Sequence, residues 1–188
     1  GTAFNLNNSF ASAGTTSFTN SGTLTKNATG ALTSTGAFST TGNVNLASNI
    51  TTSDANLTIG GNLVVAEAAT PTLSTGAGGA GSITVTGTTN GTALGLAEAL
   101  TVLAGTGDVT FTGNVGTGTN ATELEALTIT SAATTLFSGN LELANALTQA
   151  AGSVATTFTG TVNVGSAALT GTAFNLNNSF ASAGTTSF

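Results

Sequence analysis

The chain has 188 residues, of which 4% are charged: one is basic, seven are acidic, and the net charge is −6; ordinary soluble domains carry roughly 25%. A lone cation excludes nucleic-acid binding, which needs many neutralised phosphates, and electrostatic docking on an anionic membrane. His, Cys, Met, Trp and Tyr are absent, which removes disulfides, His- or Cys-based nucleophilic triads, most zinc sites and most targets of oxidants; no apolar run of about 18 residues is available to span a membrane.

The first element met along the chain is also the last. Residues 1–18 read GTAFNLNNSFASAGTTSF, and residues 171–188 repeat them without a change. The period is 170 residues, which implies an array: 1–170 is one complete unit, and 171–188 is the start of the next identical unit. A chain that begins at Gly1, without a signal-peptide pattern, is expected to be a piece of a longer secreted protein.

Inside the unit the predicted strands are short. Val44-Asn45-Leu46, Ile83-Thr84-Val85-Thr86, Val109-Thr110-Phe111-Thr112, Leu127-Thr128-Ile129-Thr130 and Val162-Asn163-Val164 alternate apolar with polar at period two. Thr, Val, Ile and Phe suit a pleated, half-buried surface. Ala-Leu-Thr recurs at 31–33, 99–101, 126–128, 146–148 and 168–170. Residues 93–104 are rich in Ala and Leu but carry this motif, so they read as strand–turn–strand. Between strands lie polar corners with glycine: Gly22, Gly42, Gly61, Gly87, Gly113, Gly139 and Gly160. Their spacing, roughly 19 to 26 positions, is that of a solenoid repeat.

Short strands in coils of this length match the rungs of a β-solenoid. The expected fold is all-β, a right-handed parallel β-helix with about seven to eight coils per 170-residue unit. Phe111, Phe137, Phe158, Leu100, Leu127 and Leu147 should point inward, with Thr, Asn and Ser outward. Gly and Asn at the corners are expected to supply positive φ. A rung spacing of about 4.8 Å gives roughly 35–40 Å of rod per unit. A sandwich array is disfavoured because Trp and Tyr are missing and Pro71 is the sole proline. Disorder is disfavoured by the near absence of charge and the positive mean hydropathy.

The Phe-[Thr/Ser]-Gly-Asn-[Val/Leu] corners, as at Phe111–Val115 and Phe137–Leu141, together with the Ala-Leu-Thr motif, resemble the β-helical repeat regions of large secreted bacterial surface proteins. These are the filamentous-haemagglutinin-like adhesins and autotransporter passengers. The resemblance is one of repeat style along the whole chain. It implies a secreted, surface-attached or fibre-forming protein, and it transfers no active site.

Chemistry-bearing candidates are few. Glu123 and Glu125 flank Leu124 and would share a strand face about 7 Å apart, a range that suits a glycosidase pair. No His, Tyr or Arg accompanies them, so they read as solvated positions. Gly105-Thr106-Gly107-Asp108-Val109 is similar to one calcium-binding nonapeptide, but that motif works in tandem and occurs here once. Gly76–Gly81 has the glycines without an Asp, and both segments read as corner loops. The Thr pairs 84/86, 110/112, 128/130 and 157/159 could stack into ladders facing ice or carbohydrate. Sequons begin at Asn7, Asn27, Asn49, Asn56, Asn90 and Asn120. No catalytic, cofactor-binding or metal-ligating residue is assigned, and no cofactor is expected. The expected role is an extracellular structural or adhesive fibre at the cell surface, without catalysis. Its expected partner is itself, through head-to-tail continuation and bundling of units whose ends are complementary, with cell-surface or carbohydrate ligands as the alternative.

Overall fold

Strands as short as most of these cannot pair stably with a sequence neighbour, and here they pair with the strand one coil later instead. The computed structural model describes residues 1–92, 97–116 and 123–188. Every strand pairing among them is parallel, and the chain winds as a β-solenoid of about eight turns, with no helix among the described residues. The longer strands Ala126–Phe137 and Leu141–Gln149 each run round one corner and pair on two faces.

Each coil has three faces, and each face contributes inward-pointing columns. On the first face, Phe4, Leu24, Val44, Leu63, Thr89, Val115, Leu141, Val162 and Phe180 lie one above another. The second face aligns Phe10, Leu32, Ile50, Leu73, Val102, Ile129, Gln149 and Leu169. The third aligns Phe18, Thr40, Ile59, Val85, Phe111, Phe137, Phe158 and Leu176. The alternation seen in the sequence is thus the alternation between core and solvent. Phe111, Phe137, Phe158, Leu100, Leu127 and Leu147 all point inward, each at most 2% exposed. Ala99–Leu103 is a strand, and the earlier part of the strand–turn–strand reading falls at 93–96, outside the described residues.

Phe111, Phe137 and Phe158 stack as near-parallel rings with centroids 5.4 and 5.1 Å apart. Offset stacking of this kind adds about 0.5–1.5 kcal/mol per pair beyond area burial. The one amide in the inward columns, Gln149, is satisfied: its Oε1 accepts from Thr156 Oγ1 at 2.7 Å and its Nε2 donates to Thr170 O at 3.2 Å.

The coils differ in length. Partners in adjacent coils lie 19 positions apart at Asn43 and Asn62, and 26 apart at Asn62 and Thr88. The interval is again 26 at Asn114 and Asn140, then 21 at Asn140 and Thr161, and 18 at Thr157 and Asn175. The added length does not fall evenly. Between Thr40 and Val44, and again at Ile59–Leu63, Val85–Thr89, Phe111–Val115, Phe137–Leu141 and Phe158–Val162, the corner from third to first face holds three residues. Between Phe18 and Leu24 the same corner holds five; from Thr40 onward insertions occupy the other two corners.

All seven glycines singled out in the sequence stack at the corner between the third and first faces, and their role differs from the expected one. None has positive φ; among the described residues that conformation belongs to Gly30, Gly76, Gly105 and Gly116, with Asp54 and Ala68. What excludes a side chain is proximity. A Cβ on Gly113 would lie 2.5 Å from Gly87 O, one on Gly139 would lie 2.7 Å from Gly113 C, and one on Gly160 would lie 2.5 Å from Gly139 O. Backbone packs on backbone, coil after coil.

Gly113→Ala therefore forces two coils apart and is expected to cost about 1–3 kcal/mol, the usual range for overpacking. Gly78→Ala, where nothing lies within 4 Å and φ is not positive, should leave stability unchanged or raise it slightly. Phe137→Ala should cost about 3–5 kcal/mol. Thermal or denaturant melts of the three variants check the ranking.

Candidate functional surface

Outward positions repeat where inward ones do, so side-chain rows run along the rod at about 4.8 Å spacing. On the third face the row is Ser17, Ser39, Thr58, Thr84, Thr110, Leu136, Thr157 and Asn175. On the second face Thr72, Thr101, Thr128 and Thr148 form another. The Thr pairs read as ladders fall in separate places: Thr84 and Thr110 stack, Thr128 belongs to a different face, and Leu136 separates Thr157 from Thr110. Most third-face strands have three residues and one outward position, as in Ile83–Val85 and Val109–Phe111. Thr86, Thr112 and Thr159 already lie past the strand ends, with their N–H groups bonded to Ile59 O, Val85 O and Phe137 O. The ladder is one hydroxyl wide.

Asparagines at the corner do something the motif alone does not reveal. Asn43 Oδ1 accepts from Asn62 N (2.9 Å) and Asn62 Oδ1 from Thr88 N (2.9 Å). Asn114 Oδ1 accepts from Asn140 N, and Asn140 Oδ1 from Thr161 N, both at 3.0 Å. Each amide adds an inter-coil bond at the bend, beside backbone bonds such as Val44 N to Asn62 O and Val115 N to Asn140 O. The same use takes up several sequons. Asn49 Oδ1 accepts from Thr72 N, Asn56 Oδ1 from Ser82 N, and Asn27 Nδ2 donates to Asn7 Oδ1. The sequon at Asn120 lies outside the described residues.

Glu123 and Glu125 flank Leu124, which is fully buried, and the coil holds them through backbone groups. Glu125 N donates to Glu98 O, and Glu125 O accepts from Asn145 N. In the glycine-rich loop, Asp108 Oδ1 accepts from Thr134 N (3.1 Å) and Thr134 Oγ1 (2.6 Å) one coil on. That carboxylate ties adjacent coils together. Gly76–Gly81 gains an acid that the sequence keeps distant: Asp54 of the preceding coil lies where a Cβ on Gly76 or Gly79 would stand. Among the described residues no three acidic groups gather closely enough to hold a metal ion.

Two charged residues that residue type alone would place at the surface are fully buried. Glu98 Oε1 accepts from Thr92 N (3.0 Å) and Thr92 Oγ1 (2.5 Å). Lys26 points inward beside Leu6 and Leu46, and its ammonium donates to Asn27 O (2.8 Å) and Thr29 O (2.9 Å), closing the turn that Gly30 completes at φ 72°. The signal for Lys26 is its place in the alternation Leu24-Thr25-Lys26, which puts it in phase with Leu24. Desolvation by burial lowers its pKa below the usual 10.5.

No family model, curated protein or solved structure matches this chain.

Because the unfolded chain holds the Lys26 proton to higher pH than the folded one, stability should rise with pH from the lowered folded value up to about 10.5. With no His, Cys or Tyr in the chain, Lys26 is the side chain that titrates in that window. Thermal melts between pH 7 and 11 should show the rise, and Lys26→Met should abolish it.

Proposed function

We propose that this chain is part of an extracellular structural or adhesive fibre of tandem β-solenoid units, displayed at a cell surface and without a catalytic role. The observation that carries the reading is how the repeat boundary is crossed. Phe174–Leu176 pairs with Thr156–Phe158, and Phe180–Ser182 pairs with Val162–Val164. The second copy thus begins as the next coils of the same core. An array of such units is a continuous rod, lengthening by about 37 Å for each unit at the usual inter-strand spacing.

The surface suits that role. Its rows are mostly Thr, Ser and Asn, its acids are few, and its one lysine is buried. Such a face is uncharged over long stretches and favours close lateral contact between rods, while no nucleic acid or anionic membrane is attracted. The enzymatic alternative, a carboxylate pair, has no companion groups that would tune a pKa.

Electron microscopy of the native protein should show unbranched rods whose length scales with unit number, and antibody against the repeat should label intact cells. Compact particles, or labelling only after lysis, would overturn the proposal.

A further inference from the structure

The two copies of the eighteen-residue segment do not occupy equivalent places on the solenoid. In the first copy Phe4–Leu6 lies on the first face, Phe10–Ser12 on the second and Thr16–Phe18 on the third. In the second copy Phe174–Leu176 continues the third face, Phe180–Ser182 the first, and Thr186–Ser187 the second. The same residues have moved round by one face. Along the first-face column, Phe4 to Val162 is seven coils, and Phe174 follows two faces later. One repeat unit is therefore seven and two-thirds coils.

We propose that successive units in the array are related by a screw of one-third of a turn, with a rise of about 37 Å per unit. Every unit surface is then presented in three directions around the rod. The structure returns to itself only after three units, which together make a whole number of coils. The inference deepens the fibre reading and rests on it for the array; the phase itself is a property of this chain.

Two observations support the phase. The first is coil length. Placing Phe174 on the first face would require a coil far shorter than any present if it followed Val162, and longer than any present if it followed Leu141. Paired residues in adjacent coils lie 18 positions apart at the closest, as Val162 and Phe180, and 29 at the most distant, as Leu73 and Val102. The segment from Val162 to Phe174 has room for no more than three minimal strands joined by single-residue corners. The second observation is the aromatic trio at the repeat start. Phe4, Phe10 and Phe18 come from one face each and meet inside the coil, with Phe4–Phe18 centroids 5.1 Å apart at 65° and Phe10–Phe18 5.8 Å apart at 59°. Phe174, Phe180 and Phe188 reproduce the trio at 5.4 Å and 60°, and 5.7 Å and 59°. A plug with one ring per face fills a three-sided core equally well in any of three rotations, so the shift leaves its packing intact. The glycine column then changes corner at each unit boundary: one coil past Gly160 its place is taken by Asn178.

The chain has no cysteine, so introduced pairs report register cleanly. Thr157→Cys with Asn175→Cys, and Asn163→Cys with Ala181→Cys, place outward thiols on directly paired residues, within the Cα range of a disulfide. Both should cross-link nearly completely on mild oxidation of the folded chain. Asn163→Cys with Asn175→Cys would be paired only in an in-phase junction, and should remain reduced. Cross-linking of that third pair, or of neither of the first two in a chain with normal strand circular dichroism, overturns the screw. Should the substitutions unfold the chain, fibre diffraction of a three-unit protein decides. The screw requires an off-meridional layer line at ~110 Å as well as a meridional reflection at ~37 Å, and absence of the former overturns the proposal. The cross-links report phase whether or not the native protein forms fibres.

Discussion

Where the third face turns into the first, glycine backbone presses on glycine backbone with no room for a single carbon between coils. That contact sets the register on which the rest of the solenoid depends. With three residues allowed at this corner, the strands on either side start at the same height in each coil from Thr40 to Val162. The asparagine beside the glycine then passes its side-chain carbonyl to the next coil's N–H, so donors at the bend that backbone carbonyls do not take remain hydrogen-bonded. Added residues are tolerated at the other corners because they change no height here. The stacked phenylalanines follow from the same constraint: rings on adjacent coils can lie parallel only if the strands carrying them are in step.

Much of this is legible in the residues. Short alternating runs identify strands with one wet face, and the glycine spacing reads out the lengths of the middle coils directly. The reason for the glycines is not legible, because a turn that needs positive φ and a turn that needs a close approach leave the same letter. Lys26 and Glu98 escape notice as interior residues since charge ordinarily marks the surface. Only the phase with Leu24 betrays the first. Asp54 meets Gly76–Gly81 one coil on, a neighbour relation that no local pattern encodes. The rotational phase of the repeat is hidden for another reason. Identity of residues 1–18 and 171–188 measures distance along the chain, while angle depends on how coils of unequal length divide it.

Energetically the rod is close to one-dimensional, since each coil touches the coils before and after it. A substitution in one coil is felt by its two neighbours and decays beyond them. The Phe111–Phe137–Phe158 stack and the Gln149–Thr156 pair occupy adjoining stretches of one core. A polar coil thus precedes the boundary at which the next unit begins, and the aromatic trio follows it.

The burial of Lys26 has a consequence for digestion. Trypsin-like proteases need an extended Lys or Arg side chain to reach an acid at the base of their pocket. This chain offers one basic residue, and its ammonium is turned into the coil and held by the carbonyls of Asn27 and Thr29. To be cut there the first coils would have to unwind, so proteases of this specificity find no exposed handle on the folded chain.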